Sequence, residues 1–190
     1  MNYLFRHFYQ LGPVQAALLM MLFTLAAGSL TKKYSKRKIY KCFCGLFLAV
    51  WIAVILRATV LRRTEAGARV PLALPFASYR SVLHGGNPEL LRSNGMNIFL
   101  FYPLGVFTGM LIPKRKREKL QLILFGIAAC ILSSSIEFVQ YWYRIGLPEC
   151  DDIIHNTLGA VLGFAAIRHS QPAVEKLEYI IRKFRGDMGP

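Results

Sequence analysis

Apolar residues gather into five long runs, each bounded by charge or by proline and glycine: Pro13 to Leu30, Cys42 to Leu61, Met96 to Ile112, Leu120 to Val139 and Ile153 to Ile167. A helix needs about 20 residues to cross the hydrocarbon of a bilayer. The second and fourth runs reach that length, the first and third come close, and the fifth is shorter and opens on polar groups. The pattern predicts an all-α polytopic membrane bundle of about five transmembrane helices, with a re-entrant fifth segment as the alternative. Helices are expected throughout because lipid offers no partner to an unpaired backbone amide. Past the last run, Val174, Leu177, Ile181 and Phe184 recur at helical spacing, with Glu175, Lys176, Glu178, Arg182 and Lys183 mostly off that stripe. An amphipathic helix is expected there, lying on an anionic membrane surface or on the protein's own loops.

Charge gives these runs a direction. Lys32, Lys33, Lys36, Arg37, Lys38 and Lys41 separate the first two; Lys114, Arg115, Lys116, Arg117 and Lys119 separate the third and fourth; Arg168, Lys176, Arg182, Lys183 and Arg185 follow the fifth. Basic loops stay cytoplasmic, so the N-terminus is expected outside and the C-terminus inside the cell membrane. Three regions follow: residues 1–41 with the first helix and a basic loop, 42–168 as the main membrane domain, and 169–190 as a basic tail. Cleavage of a signal peptide near Ala26-Ala27-Gly28 would export the six-cation block, so the first run is expected to remain as a span.

The whole-chain composition agrees once the charge is divided. The 190 residues are 54% apolar and 18% charged, with a net charge of +14. Such hydrophobicity excludes disorder, and the basic excess raises a nucleic-acid binder as the rival reading. Because the cations lie in short blocks between apolar runs, they mark topology, and no nucleic-acid partner is expected. Cys42, Cys44, Cys130 and Cys150, with His7, His84, His155 and His169, are too scattered for a zinc set, so neither metal nor other cofactor is expected.

With that topology, polar residues converge on the outer end. Asn97 opens the third run, Glu137 and Gln140 close the fourth, and Asp151, Asp152 and Asn156 open the fifth; Arg57 lies about a turn from the outer end of the second. Ser133, Glu137, Gln140 and Arg144 would share one helical face, and Asp152, Asn156, Gly159 and Gly163 another. The fourth and fifth helices are therefore expected to pack through these faces. Glu137 suits proton exchange or ligand binding, or else an ion pair with Arg57 or Arg144. The Asp151-Asp152 pair reads as an N-cap with favourable dipole interaction, or as a cation site. Pro103 and Gly105 predict a kink or a break in the third helix. The segment from Arg62 to Gly95, with Pro71, Pro75 and Pro88, opposes a continuous helix and is expected to cover the polar cluster.

Four motifs in order resemble the VanZ-like family of bacterial membrane proteins. They are Leu74-Pro75-Phe76, the run from Asn97 through Pro103 to Gly105, Ile136-Glu137-Phe138-Val139-Gln140, and Asp151-Asp152 leading to Asn156-Thr157-Leu158-Gly159. The resemblance covers about residues 45 to 167. It implies a small helical bundle and a role in protection against teicoplanin-type glycopeptides, with Asn97, Glu137, Gln140, Asp152, Asn156 and Gly159 at the family's motif positions. Two departures stand out: Glu149-Cys150 precede the Asp pair where relatives often carry Asp first, and Arg144 lies farther off, across Gly146-Leu147-Pro148. The leading reading is an envelope-modulating membrane protein that binds a cell-envelope lipid, a peptidoglycan precursor or a lipoglycopeptide, with a homo-oligomer among the assemblies it allows. An intramembrane enzyme on an envelope lipid and a lipid-linked substrate flippase are the alternatives, although no zinc pair, phosphate loop, nucleophile elbow or internal repeat supports either.

Overall fold

A computed structural model describes residues 12–61, 74–113, 117–145 and 149–185. Among them are seven α-helices: α1 Pro13–Tyr34, α2 Lys38–Leu56, α3 Ala77–Leu83, α4 Glu89–Leu111, α5 Glu118–Tyr143, α6 Cys150–His169 and α7 Gln171–Phe184. A π-helical turn, Arg57–Leu61, extends α2. The aromatic N-terminal stretch with Tyr3, Phe5, Phe8 and Tyr9, Pro71, and the Gly146-Leu147-Pro148 link lie outside the described residues.

Three stretches are long and apolar enough to cross a membrane: α1, α2 with its π turn, and α5. Their outward faces carry Leu18 and Leu22, Phe43 and Leu46, and Ile123 and Ile131, all exposed. A continuous apolar exterior of this kind matches hydrocarbon, not water. The remaining two long helices, α4 and α6, are richer in polar residues and form the centre.

Their contact is built from glycine. A Cβ added to Gly105 would overlap the Ala160 carbonyl oxygen, one on Gly163 the Tyr102 carbonyl, and one on Gly159 the Ile98 carbonyl. Each of these atoms is backbone on the opposite helix, so the two backbones touch along three successive turns. The fifth run therefore turns its glycine face to the third run, whereas the sequence reading directs that face to the fourth. Glycine stripes specify close approach without naming the partner, and Gly105 supplies the matching notch on α4. Pro103 lies inside α4 without ending it, and Trp51 Nε1 donates to the Leu100 carbonyl, 2.9 Å away, beside the proline turn.

Around this pair the peripheral helices pack by ordinary apolar contact. Ile55 of α2, Phe101 and Leu104 of α4, Ala129 and Ile136 of α5 and Ala160 of α6 form one buried cluster. Ala27, Tyr102, Val106 and Ile167 form another on the α1 side. A buried bond between Thr24 Oγ1 and Tyr102 Oη, 2.6 Å long, ties α1 to α4. The amphipathic C-terminal stretch is α7, whose Val174 is fully buried against the chain, close to Gly28 of α1. Lys32 Nζ donates to Glu178 Oε2 at 2.8 Å and holds it there.

Candidate functional site

The directions of the helices put Arg57, Asn97, Glu137, Gln140, Asp151, Asp152 and Asn156 at one end of the bundle and the basic segments Lys32–Lys41, Arg117–Lys119 and Arg168 onward at the other. Six of the seven polar residues are drawn inward; Arg57 alone points to the exterior.

Asp151 organises this end. It is 1% exposed, and its carboxylate accepts from the Phe76 N–H, the Ser78 hydroxyl and the Ser78 N–H, the last at 2.9 Å. The expected N-cap is thus real but serves another helix: Asp151 caps α3, which has no side-chain cap of its own, and leaves α6 uncapped by side chain. Phe76 adopts a left-handed backbone with φ 61°, a conformation costing a non-glycine residue about 1 to 2 kcal/mol. Bonds to the Asp151 carboxylate offset that strain.

Two further groups complete the attachment of α3. Asn94 Nδ2 donates to Ser78 Oγ at 2.8 Å, so the hydroxyl that serves Asp151 is itself oriented. His155 joins the Asp151 carbonyl through Nδ1 and meets Tyr79 Oη through Nε2 at 2.7 Å, with the two rings stacked. The expectation that the proline-rich segment covers the polar cluster holds for its described part. Ser78, Tyr79 and Asn94 were not singled out from the sequence. The signal was present in Ser78 two residues after the Leu-Pro-Phe motif, the position where a helix N-terminus needs an acceptor, but the acceptor is 73 residues away.

The remaining polar residues stitch α4, α5, α6 and the end of α2 together. Asn97 Nδ2 donates to Asp152 Oδ1 at 2.6 Å, joining the central pair above the glycine contact. Asn156 Nδ2 donates to Ser133 Oγ at 2.9 Å, so the fourth and fifth runs do meet through part of the faces expected of them. Gln140, fully buried, faces elsewhere and donates to the Thr59 carbonyl at 3.0 Å. Thr59 lies in the π turn, where the changed backbone pairing alters the direction of carbonyls. Glu137, 3% exposed, accepts from the Glu149 N–H at 3.0 Å, which anchors the approach to α6.

Neither expected arginine partner takes its place. Arg57 and Arg144 are exposed, and neither forms an ion pair with a described residue. Arg144 adopts the left-handed conformation at the end of α5, and Ile145 N donates back to the Gln140 carbonyl. This helix-ending motif turns the chain before the shared face can reach residue 144. Arg57 reaches out from the π turn, as a long cationic side chain near an apolar edge does.

Chemically, the cluster offers three buried carboxylates, four amides (Asn94, Asn97, Gln140 and Asn156) and an imidazole. Two buried oxygens, Asn156 Oδ1 and Thr157 Oγ1, have no hydrogen-bond partner. Around the rim, Phe76, Tyr79, Trp142 and Tyr143 remain exposed. No group of three or more His, Cys, Asp or Glu residues suited to a metal ion occurs among the described residues.

A family model described as VanZ/LLP1 matches residues 43–171, well over half of the chain. No curated protein and no solved structure matches.

Proposed function

Because the chain belongs to the VanZ/LLP1 family and is a membrane protein of that type, we propose that its polar end faces the outside of a bacterial cell and binds an envelope component or a lipidated glycopeptide. All five long helices cross the membrane in this reading, with α4 and α6 shielded by α1, α2 and α5. The N-terminus lies outside and the basic end meets the cytoplasmic leaflet, in accord with the positive-inside bias. The expected phenotype is altered susceptibility to teicoplanin-type antibiotics.

One observation carries the proposal: the buried Asp151 carboxylate fixes an exposed aromatic segment, Phe76 to Tyr79, over the polar cluster. Such a surface joins rigid apolar area with a negative, hydrogen-bonding interior, as suits the sugar-peptide portion of a lipid-linked molecule lying at the membrane surface. His155, with one ring nitrogen on the Asp151 carbonyl and the other on Tyr79 Oη, holds the Tyr79 ring in place over the cluster.

The test is deletion of the gene followed by complementation with wild type, Glu137→Gln or Asp152→Asn, each checked for normal membrane abundance. Deletion should change teicoplanin susceptibility, and the variants should fail to restore it. An unchanged deletion strain would sink the resistance role. Full complementation by both variants would sink the site.

A further inference from the structure

The opposite end of the bundle holds two adjoining recesses of contrasting chemistry. One is an apolar groove of about 480 Å³ between α1 and α2, floored by Phe107 and Met110 of α4 and bordered by Ala26, Phe43 and Phe47. The other, about 440 Å³, is enclosed by the ends of α1, α4 and α6 and the start of α2 and α7; Lys32, Lys41 and Arg168 line it, and no carboxylate does. Met110 lines both. The hydrogen bond between Thr31 Oγ1 and Tyr40 Oη, 2.7 Å long, links the two chambers, Thr31 belonging to the cationic one and Tyr40 to the apolar one.

We propose that this end holds one anionic phospholipid, with an acyl chain in the α1–α2 groove and its phosphate among Lys32, Lys41 and Arg168.

The geometry follows the way a lipid is built, with a charged head a short distance from its chains. Phe43 and Phe47, more than half exposed, open the groove towards the surrounding hydrocarbon, so a chain can enter sideways from the bilayer. The cationic pocket lies at the end of the same helices, at headgroup depth. Its polar wall is preassembled: Arg168 is 6% exposed, donates to Gln121 Oε1 at 3.2 Å and lies over the Phe164 ring. Lys32 is held by Glu178, and Gln171 Nε2 reaches the Gly28 carbonyl, so α7 forms a fixed side of the pocket. Basic pockets between helices at the membrane edge suit phosphate headgroups. Lys41, by contrast, is exposed and can be changed without disturbing the packing.

The full chain purified in mild detergent is titrated with phosphatidylglycerol, and the bound lipid is counted by native mass spectrometry. One lipid should be retained more tightly than the rest. Lys41→Glu, which reverses a charge in the pocket, and Ala26→Trp, which fills the groove, should each weaken that retention about tenfold while leaving the unfolding temperature unchanged. Lys36→Glu makes the same charge change outside both recesses and should leave retention intact. Equal loss in Lys36→Glu would mean general surface attraction, and full retention in Lys41→Glu and Ala26→Trp would mean a different site; either overturns the proposal. Displacement of the lipid by glycerol phosphate at equal concentration would also overturn it, because the groove would then contribute nothing. The polar end is untouched by these variants, so this result stands or falls separately from the envelope-binding reading.

Discussion

The helices α2 and α6 have nearly the same length, 19 residues and 20 residues, yet they meet opposite surroundings. Of α2, only Tyr40, Cys44 and Ile55 are buried; of α6, ten residues are, including Asp151, Asp152, His155, Asn156 and Arg168. A helix bathed in lipid needs only an apolar surface, and many sequences supply one. A helix buried along half its residues must match its neighbours in shape and find partners for most of its polar atoms. The information that distinguishes this chain from any other apolar bundle is therefore concentrated in α6 and in the α4 face that receives it.

Glycine breaks the comparison most sharply. Gly163→Val places side-chain atoms where the Tyr102 backbone lies, and a clash with backbone exceeds the usual overpacking cost of about 1 to 3 kcal/mol. Loss of the folded species in fluorescence-detected size-exclusion chromatography is the expected outcome. Recovery of a normal monodisperse peak would show that the α4–α6 contact tolerates separation.

A smaller effect is expected at the carboxylate that spans the two kinds of region. Asp151→Asn removes the charge from three hydrogen bonds, a loss of about 3 kcal/mol, and should free Phe76 to Leu83 before the core melts. Anisotropy of a probe on Leu83→Cys reads that release. Anisotropy equal to that of the wild type in Asp151→Asn would contradict the assignment of this carboxylate as the anchor of α3.

The smallest change sharpens the comparison from the lipid side. Gly45 of α2 meets no heavy atom within 4 Å of an added Cβ, so Gly45→Ala should be neutral or stabilise the helix by about 0.5 to 1 kcal/mol. A raised or unchanged unfolding temperature is the expected reading, and a fall of several degrees would reveal a hidden contact.

The lipid-facing part was legible from sequence because a bilayer imposes one demand along the whole helix. The run Cys42 to Leu61 lies within α2 and its π turn, which begin at Lys38, and the amphipathic stripe from Val174 to Phe184 lies within α7. The central pair was read less fully. α4 begins at Glu89, seven residues before its apolar run, because Glu89, Arg92, Ser93 and Asn94 are helical but polar and so give no hydropathy signal. The cluster residues were recognisable as polar groups at one depth, but their pairing was not: Gln140 meets Thr59 through a π turn that no spacing rule predicts, and Asp151 caps a seven-residue helix that is distant in sequence. Spacing along one helix fixes which residues share a face; the identity of the facing helix comes only from shape.

The glycine contact has a consequence for how the chain enters the membrane. In the five-span arrangement proposed above, α4 emerges from the ribosome well ahead of α6, carrying Asn97 and a notched surface whose complement on α6 has not been synthesised. Lipid cannot supply a donor or acceptor to such a face. Insertion of α4 is then provisional until α6 arrives, and the last long helix acts as the completion signal for the whole assembly. A chain stopped before Cys150 should remain associated with the insertion machinery or be degraded, even though its three most hydrophobic helices are already made.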